Sequence, residues 1–270
     1  MPEVETIARG LREWGLVGAL VERVRLERPD VANLPAEELA RRLRGKAVRE
    51  VCRRGKNLIL HLDDGLVLVM HLGMSGQVLL SERGAPTRTH THLVIEFANR
   101  DGELRFRDPR RFGFVRLYEC GRGEVPEFLT RLGPEPEQVS LEELLGMLRG
   151  SKRAVKNVLM DQGKIAGIGN IYADEILHRA GIRPMRRAET LTEEEAKALR
   201  RAMRRVLREA IACGGSSVSD YVLPTGKLGY FQKRHRVYRR EGQRCRRCGG
   251  TIRRIKLGGR GTHYCPECQR

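Results

Sequence analysis

Residues 245–268 read CRRCGGTIRRIKLGGRGTHYCPEC, in which two C-x-x-C pairs are separated by sixteen residues. This spacing lets each pair form a tight knuckle turn and brings four thiolates around one tetrahedral ion. Four cysteines leave no coordination position open, so we predict one structural Zn²⁺. The alternatives are two chance pairs or two disulfides. The predicted ligands are Cys245, Cys248, Cys265 and Cys268.

The same stretch is strongly basic, and so is the whole chain. Over 270 residues, Lys plus Arg number 52 against 34 Asp plus Glu, which gives a formal net charge of +18. Nine of the 52 are lysine and 43 are arginine, whose planar guanidinium binds phosphate through two parallel hydrogen bonds. This balance favours nucleic acid as a partner and, in second place, an anionic membrane surface.

Hydropathy and cysteine usage argue against membranes and export. No stretch is apolar enough to span a bilayer and no signal peptide opens the chain, so we expect no membrane partner. Outside the zinc stretch the cysteines are Cys52, Cys120 and Cys213. Three scattered cysteines do not form a disulfide framework, so we expect a reducing, cytoplasmic location.

The first half of the chain is predicted to be mainly β-structure. A helix over residues 2–14 is followed by short strands with turn signals at 63–65 and 100–102, a pattern typical of a β-sandwich. One helix, over 36–43, interrupts the strands. The strands are predicted near 21–26 and 48–51, and at 57–62, 66–72, 92–98, 104–107 and 114–118.

The second half is predicted to be helical. Helices are expected over 141–148, 153–161 and 170–180, and again after the capping box at 192–195. The fold class is therefore α+β with two domains: an N-terminal helix with an antiparallel β-sandwich, and a C-terminal helical domain with a zinc-finger β-hairpin. The predicted boundaries are 1–120 for the sandwich, 121–140 for a linker rich in Gly, Pro and Glu, 141–235 for the helical domain, and 236–270 for the zinc hairpin.

Pro2 and Glu3 are candidates for covalent chemistry. If Met1 is removed, Pro2 carries a secondary amine, and an α-amino group, with a pKa of roughly 7.7–8, is partly unprotonated at neutral pH. Such an amine attacks an electrophilic carbon, and the carboxyl group of Glu3 can donate or accept the proton. The alternative is that Pro2 only opens a helix, because proline suits the first helical turn.

Three loops in the β-rich half carry functional groups: 53–56 (RRGK), 71–76 (HLGMSG) and 108–113 (DPRRFG). Cations beside an exposed apolar side chain are typical of proteins that insert a wedge between bases, which suggests such a wedge at Met74 and Phe112. The alternative is that both side chains are core residues beneath solvated turns.

Two loops in the second half are also candidates for ligand binding. The glycine-rich turn 163–169 lies between two predicted helices, an arrangement that grips phosphate through backbone N–H groups and one polar side chain, here Asn170. A plain helical hairpin is the alternative. Residues 214–231 contain Gly, Ser and few apolar residues and predict a long loop of the kind that acts as a lid.

These segments together resemble the Fpg/Nei family of bacterial formamidopyrimidine-DNA glycosylases, and the resemblance runs from the first residues to the last. The segments that carry it are 2–6 (PEVET), 53–56, 71–76, 108–113, 132–136 (LGPEP), 167–175 (GIGNIYADE), 214–217 (GGSS) and 259–269 (GRGTHYCPECQ).

The resemblance implies a bifunctional DNA glycosylase and AP lyase that removes oxidised purines, such as 8-oxoguanine and formamidopyrimidines, from duplex DNA. It implies that Pro2 attacks C1′ of the damaged nucleotide to form a Schiff base, that Glu3 transfers protons, and that Lys56 holds a phosphate at the lesion. β,δ-Elimination then follows without a redox cofactor or catalytic metal. The implied DNA-binding residues are His71, Met74, Arg110, Phe112, Lys156, Asn170 and Arg260, and the lesion-loop residues are Ser217, Tyr221 and Tyr230.

The chain departs from the family pattern at three places. It begins PEVET where members usually begin PELPEVET, so Pro2 and Glu3 match either the first or the second Pro-Glu of that run. Arg239 stands where glycine is common, and Thr225 stands where an acidic residue is common.

Three further readings of the function stay open. They are an oxidised-pyrimidine glycosylase of the same family, a lesion-binding protein without catalysis, and an RNA-binding zinc protein. Under the favoured hypothesis we expect a monomeric, nucleoid-associated bacterial protein whose partner is damaged double-stranded DNA.

Overall fold

The computed structural model describes residues 1–121 and 124–270, which form two compact units. The sandwich unit comprises Pro2–Thr130 and Cys213–Tyr230, and the helical unit comprises Met1, Arg131–Ala212 and Phe231–Arg270. Residues 213–230 thus pack with the sandwich unit, although the predicted boundaries include them in 141–235. Part of the predicted linker, residues 122–123, lies outside the described residues.

The sandwich unit contains two antiparallel sheets of four strands each. Helix α1 (Pro2–Glu13) contributes Ile7 and Leu11 to the same core as Phe97 and Phe106. The strands are β1 (Val21–Leu26), β2 (Val48–Arg54), β3 (Asn57–Leu62), β4 (Leu66–His71), β5 (Gln77–Ser81), β6 (Thr91–Phe97), β7 (Glu103–Arg107) and β8 (Phe114–Glu119), and the other helices are α2 (Ala36–Leu43) and α3 (Glu127–Thr130). The strand orders in the two sheets are β1-β6-β7-β5 and β2-β3-β4-β8.

The predicted β-sandwich is confirmed, and so are the turns at 63–65 and 100–102, which join antiparallel neighbours. Strand β5 is not among the predicted strands. It follows directly on the glycine-rich loop 71–76, and three of its five residues are only partly buried, so its hydrophobic pattern is weak. It pairs with β7 at one edge of its sheet.

The helical unit contains α4 (Leu141–Arg149), α5 (Val155–Leu159), α6 (Asn170–Ala180) and α7 (Glu193–Ala212). Thr192 caps α7 as predicted, because its Oγ1 accepts from Glu195 N at 3.3 Å while Glu195 Oε2 accepts from Thr192 N at 2.9 Å. Helix α5 is shorter than the predicted 153–161. Ala154 forms a β-bridge with Arg187 instead, which removes the start of that segment from the helix.

The last elements are the paired strands β9 (Arg253–Leu257) and β10 (Arg260–Tyr264). The two residues between them, Gly258 and Gly259, have φ of 56° and 76°. Positive φ at both positions is typical of the type I′ hairpin turn, which two glycines adopt without strain. The β-hairpin predicted for the zinc-finger segment is therefore confirmed. Within 1–121 and 124–270, no helix has the length and apolarity to cross a bilayer.

Candidate nucleic-acid interface and metal centre

Four cysteine sulfurs meet in the helical unit, all within 4.8 Å of one another. The Cys245 and Cys268 sulfurs are 3.8 Å apart, and those of Cys248 and Cys265 are 3.4 Å apart. Four sulfurs at the usual Zn–S distance of about 2.3 Å on a tetrahedron stand roughly 3.8 Å from one another. The geometry and the all-sulfur donor set therefore fit one structural zinc.

Helix α6 anchors the segments that carry these cysteines. Glu175 is almost fully buried, and its Oε1 accepts from the backbone N–H groups of Val237 (3.0 Å) and Tyr238 (2.9 Å). Burial raises the pKa of Glu175, and the backbone N–H groups oppose that shift. One turn later His178 Nε2 lies 3.3 Å from Cys245 Sγ. The zinc cluster is therefore fixed to α6 by side chains of α6 itself.

Lys156 is fully buried, and the structure corrects its predicted role as a direct DNA contact. Its ammonium lies 2.7 Å from Asp174 Oδ1 and 2.6 Å from Thr262 Oγ1. Burial lowers the pKa of Lys156, and the Asp174 charge opposes that shift. Because the ammonium also lies 3.4 Å from Gly261 O, Lys156 holds β10 in place beside Arg260.

Asn170 and Arg260 are brought close together. Asn170, the first residue of α6, donates from Nδ2 to Gly261 O at 3.0 Å, next to the exposed Arg260. Nearby lies an open cavity of about 490 Å³. It is lined by Asn170, Tyr238, Arg239, Glu241, Arg254, Gly261 and His263. A helix N-terminus with adjacent guanidinium groups can bind a phosphate.

The glycine-rich turn before α6 is organised by Gln162. Its Oε1 accepts from Gly167 N at 2.8 Å, and its Nε2 donates to Ile168 O at 3.0 Å and Met160 O at 2.9 Å. These bonds hold the backbone rigid at the point where Asn170 begins the helix.

In the sandwich unit, Met74 and Phe112 are 64% and 57% exposed, so neither belongs to the core. The Arg110 guanidinium lies 5.1 Å from the Phe112 ring centroid. The loops that carry them touch: a Cβ on Gly73 would lie 2.6 Å from the backbone of Phe112. We call Met74, Arg110 and Phe112 the wedge.

Asp108, which the sequence did not single out, fixes the geometry of the wedge. It is fully buried and accepts from Ser75 Oγ at 2.5 Å and from Gly113 N at 2.7 Å. Ser75 Oγ in turn accepts from Arg110 N at 3.2 Å. Because this buried carboxylate accepts hydrogen bonds from both loops, it holds the two loops together. In the sequence, the signal that could have identified Asp108 is its position directly before a proline at the start of a turn.

Pro2 is the first residue of α1 and is buried, and Glu3 is in the first turn. Glu3 Oε1 accepts from Ser216 N at 3.2 Å, and Tyr221 OH lies 3.4 Å from Glu3 O. Burial, with the Glu3 charge nearby, raises the pKa of Tyr221. Met1 is buried as well, and its amino group donates to Gly167 O at 3.2 Å. While Met1 is present, the nitrogen of Pro2 is an amide and not an amine.

Lys56 lies in the turn between β2 and β3, where Gly55 has φ of 59°. His71 pairs with Asn57 across β3 and β4, and its Nδ1 lies 2.9 Å from Asn57 Oδ1. Burial lowers the pKa of His71, and the Lys56 charge adds to that shift. The structure thus places Lys56 and His71 in one region of the sandwich unit.

The predicted lesion loop is closed at its base and attached to β5. Tyr230 N donates to Cys213 O at 2.8 Å, and Gly229 N donates to Ser217 Oγ at 2.9 Å. Further along, Leu80 N of β5 donates to Pro224 O at 2.8 Å. The unpredicted strand β5 therefore supports the loop, while the Tyr230 side chain is 60% exposed.

Three known domain families match successive parts of this chain. The Formamidopyrimidine-DNA glycosylase N-terminal domain matches residues 1–115, its H2TH domain matches 132–222, and the zinc finger found in FPG and IleRS matches 242–270. These three domains together define a zinc-finger protein of the H2TH class.

Whole-chain comparisons give the family. The Formamidopyrimidine-DNA glycosylases of Bacillus subtilis and Xanthomonas campestris are each 42% identical to this chain, covering 100% of it and 98% and 99% of their own lengths. The Lactococcus lactis Fpg in complex with DNA containing an abasic site superimposes with a TM-score of 0.92 at 37% identity, over 100% of this chain and 99% of that one. The chain belongs to the formamidopyrimidine-DNA glycosylase family.

Proposed function

We propose that the protein is a bifunctional DNA glycosylase and AP lyase of base excision repair, with oxidised purines in duplex DNA as its substrates. The exposed wedge carries this proposal. An apolar pair beside a guanidinium, held rigidly on two fixed loops, suits insertion into the space left by an extruded base. Relatives named Formamidopyrimidine-DNA glycosylase match the chain over its full length. The structurally similar Lactococcus lactis Fpg is solved with DNA containing Fapy-dG.

The nucleophile in this proposal is the amine of Pro2 after removal of Met1. It would lie at the N-terminal end of the 12-residue helix α1, where the helix dipole disfavours a positive charge and so favours the neutral, nucleophilic amine. Glu3, in the same turn, is the proton donor and acceptor. Attack at C1′ releases the base and leaves a protonated Schiff base between Pro2 and the sugar.

That Schiff base withdraws electrons from the sugar, so the 2′ hydrogen becomes acidic. Loss of that proton expels the 3′ phosphate, and a second elimination expels the 5′ phosphate. The product is a one-nucleotide gap with a phosphate at each end. Zinc takes no part in these steps, since its four ligands leave no open position.

DNA contacts are assigned to residues of both units. In the sandwich unit, Lys56 and His71 bind phosphate at the lesion, and Ser217, Tyr221 and Tyr230 form the loop that closes over the extruded base. In the helical unit, Asn170 and Arg260 bind phosphate, and Lys156 supports them from within. The proposal also includes action as a monomer and a location in the bacterial cytoplasm with the nucleoid.

A cleavage assay tests the proposal. Labelled duplexes that differ at one position, carrying 8-oxoguanine, an oxidised pyrimidine or guanine, are incubated with protein confirmed to lack Met1. We expect a gap with phosphate at both ends at 8-oxoguanine and none at guanine. Faster cleavage at the oxidised pyrimidine would replace purines by pyrimidines as the substrate. Tight binding of every lesion without cleavage would identify a lesion-binding protein.

A further inference from the structure

His178 contacts the zinc cluster from outside the part of the chain that forms the zinc finger. The matched zinc-finger domain begins at residue 242, whereas His178 is on α6. Its Nε2 lies 3.3 Å from Cys245 Sγ and 3.8 Å from Cys268 Sγ, and the ring is fully buried. Burial of an imidazole is unfavourable unless the ring makes a hydrogen bond, so we expect the contact between His178 and these sulfurs to be a hydrogen bond.

The site is complete without His178 as a ligand. The four sulfurs lie within 4.8 Å of one another, and the separations of 3.4 Å and 3.8 Å already fit a tetrahedron around one zinc. His178 Nε2 faces two of the sulfurs from outside this group. It is therefore placed as a hydrogen-bonding neighbour of the ligands.

The direction of the hydrogen bond follows from the chemistry of the two atoms. A cysteine sulfur bound to zinc is a thiolate and has no proton, so it can only accept. His178 Nδ1 is buried and has no hydrogen-bond partner within the described residues. A proton on Nδ1 would be unsatisfied there and would direct the Nε2 lone pair at a thiolate. The favourable tautomer carries its proton on Nε2.

We propose that His178 donates an Nε2–H hydrogen bond to the Cys245 thiolate and acts as a positioning residue that strengthens zinc binding. Four thiolates around Zn²⁺ leave a net charge of −2, which N–H donors partly offset. Cys245 Sγ also accepts from the backbone N–H of Arg247 at 3.4 Å. His178 thus adds a donor from α6 to one that the knuckle turn supplies.

This hydrogen bond would link the zinc site directly to α6, the helix that begins at Asn170. Loss of a residue that bonds to a metal ligand typically lowers metal affinity 10–100-fold. We expect a loss in that range when the His178 donor is removed. Because the readout is zinc affinity, the result is independent of glycosylase activity.

Three variants separate the hydrogen bond from the packing of the ring. His178→Phe keeps a planar ring but removes the donor, and His178→Gln restores an N–H at a similar distance. His235→Phe is the matched control, since His235 is a buried histidine of the same unit whose ring contacts include Phe231 and Tyr238. The dissociation constant for zinc is measured by competition with a chromogenic chelator.

We expect His178→Phe to bind zinc about 10–100-fold more weakly, with His178→Gln regaining most of the affinity and His235→Phe unchanged. Unchanged affinity in His178→Phe would overturn the proposal. So would an equal loss in His178→Phe and His178→Gln, because packing alone would then explain it.

A measurement on the unaltered protein covers the case in which a variant fails to fold. In the zinc-loaded protein with ¹⁵N-labelled histidine, long-range ¹H–¹⁵N correlation identifies which ring nitrogen of His178 is protonated. We expect a proton on Nε2 and none on Nδ1. A ring protonated on Nδ1 alone would contradict the proposed bond.

Discussion

Phe112 and Met74 are exposed apolar side chains that do not belong to the core of the sandwich unit. We expect Phe112→Ala to slow extrusion of a damaged base, because the ring would no longer fill the space that the base leaves. Nonspecific affinity should change little, since that affinity comes from phosphate contacts. Stopped-flow fluorescence of a base analogue at the lesion measures extrusion.

Val17→Ala is the control for this experiment, because Val17 is an exposed apolar residue of the same unit, away from the wedge loops in sequence. Equal losses of extrusion rate and nonspecific affinity in Phe112→Ala would count against a wedge.

Arg260 is the exposed cation at the start of β10. We expect Arg260→Ala to weaken binding to all DNA sequences and to reduce the slope of log affinity against log salt by about 1, because one phosphate contact is lost. Arg201→Ala serves as control, since Arg201 is an exposed arginine on α7. An unaltered slope in Arg260→Ala would show that Arg260 touches no phosphate.

The exposure of Met74 and Phe112 was easier to predict from the sequence than the burial of Lys156. Met74 and Phe112 stand on glycine-bounded loops, and a glycine pattern is visible in the sequence. Lys156 looks like any other cation of a basic chain, and its burial depends on Asp174 and Thr262, which lie far away in sequence. His178 was missed for the same reason, because Cys245 lies 67 residues away in the sequence.

The loop 71–76 depends on Gly73, whose φ is 56° and whose missing Cβ leaves room for Phe112. Gly84 is a matched control, with φ of 74° and nothing within 4 Å of an added Cβ. We expect Gly84→Ala to lower the free energy of unfolding by about 1–2 kcal/mol through backbone strain. Gly73→Ala should cost about 1–3 kcal/mol more because of the clash.

Urea unfolding of the two variants checks this difference, and base extrusion should slow only in Gly73→Ala. Equal stabilities, with normal extrusion in both, would show that the two wedge loops do not depend on their close approach at Gly73.

Elements with strong local signals were predicted well. Helices α2 and α6 begin and end at the predicted residues, because apolar periodicity and a following glycine mark them. Strand β5 and the start of α5 were not predicted, since both are determined by pairing with distant residues, β7 and Arg187 respectively.

Each of the two units has its own hydrophobic interior, and zinc belongs to only one of them. We expect Cys248→Ser, or removal of zinc with a chelator, to unfold the β9–β10 hairpin and weaken DNA binding while the sandwich unit stays folded. Hydrogen exchange resolved along the chain would measure this, with Cys213→Ser as the control. Unchanged affinity for DNA in Cys248→Ser would contradict it.

At the scale of the molecule, the fold class and the metal site were predicted from the sequence because the cysteine spacing and the strand pattern are local. The position of residues 213–230 was not. This loop follows α7 in the chain, yet it packs on α1 and β5 through contacts such as Gly10 with Pro224. No local pattern in a loop rich in Gly and Ser encodes such a partner.

The Schiff base that we propose between the amine of Pro2 and the damaged nucleotide can be trapped by reduction. Protein confirmed to lack Met1 is incubated with duplex DNA containing a single 8-oxoguanine, borohydride is added, and mass spectrometry locates the cross-link. We expect a covalent adduct on Pro2 and none in protein that retains Met1. Tight binding of the lesion with no adduct, in protein without Met1, would contradict it.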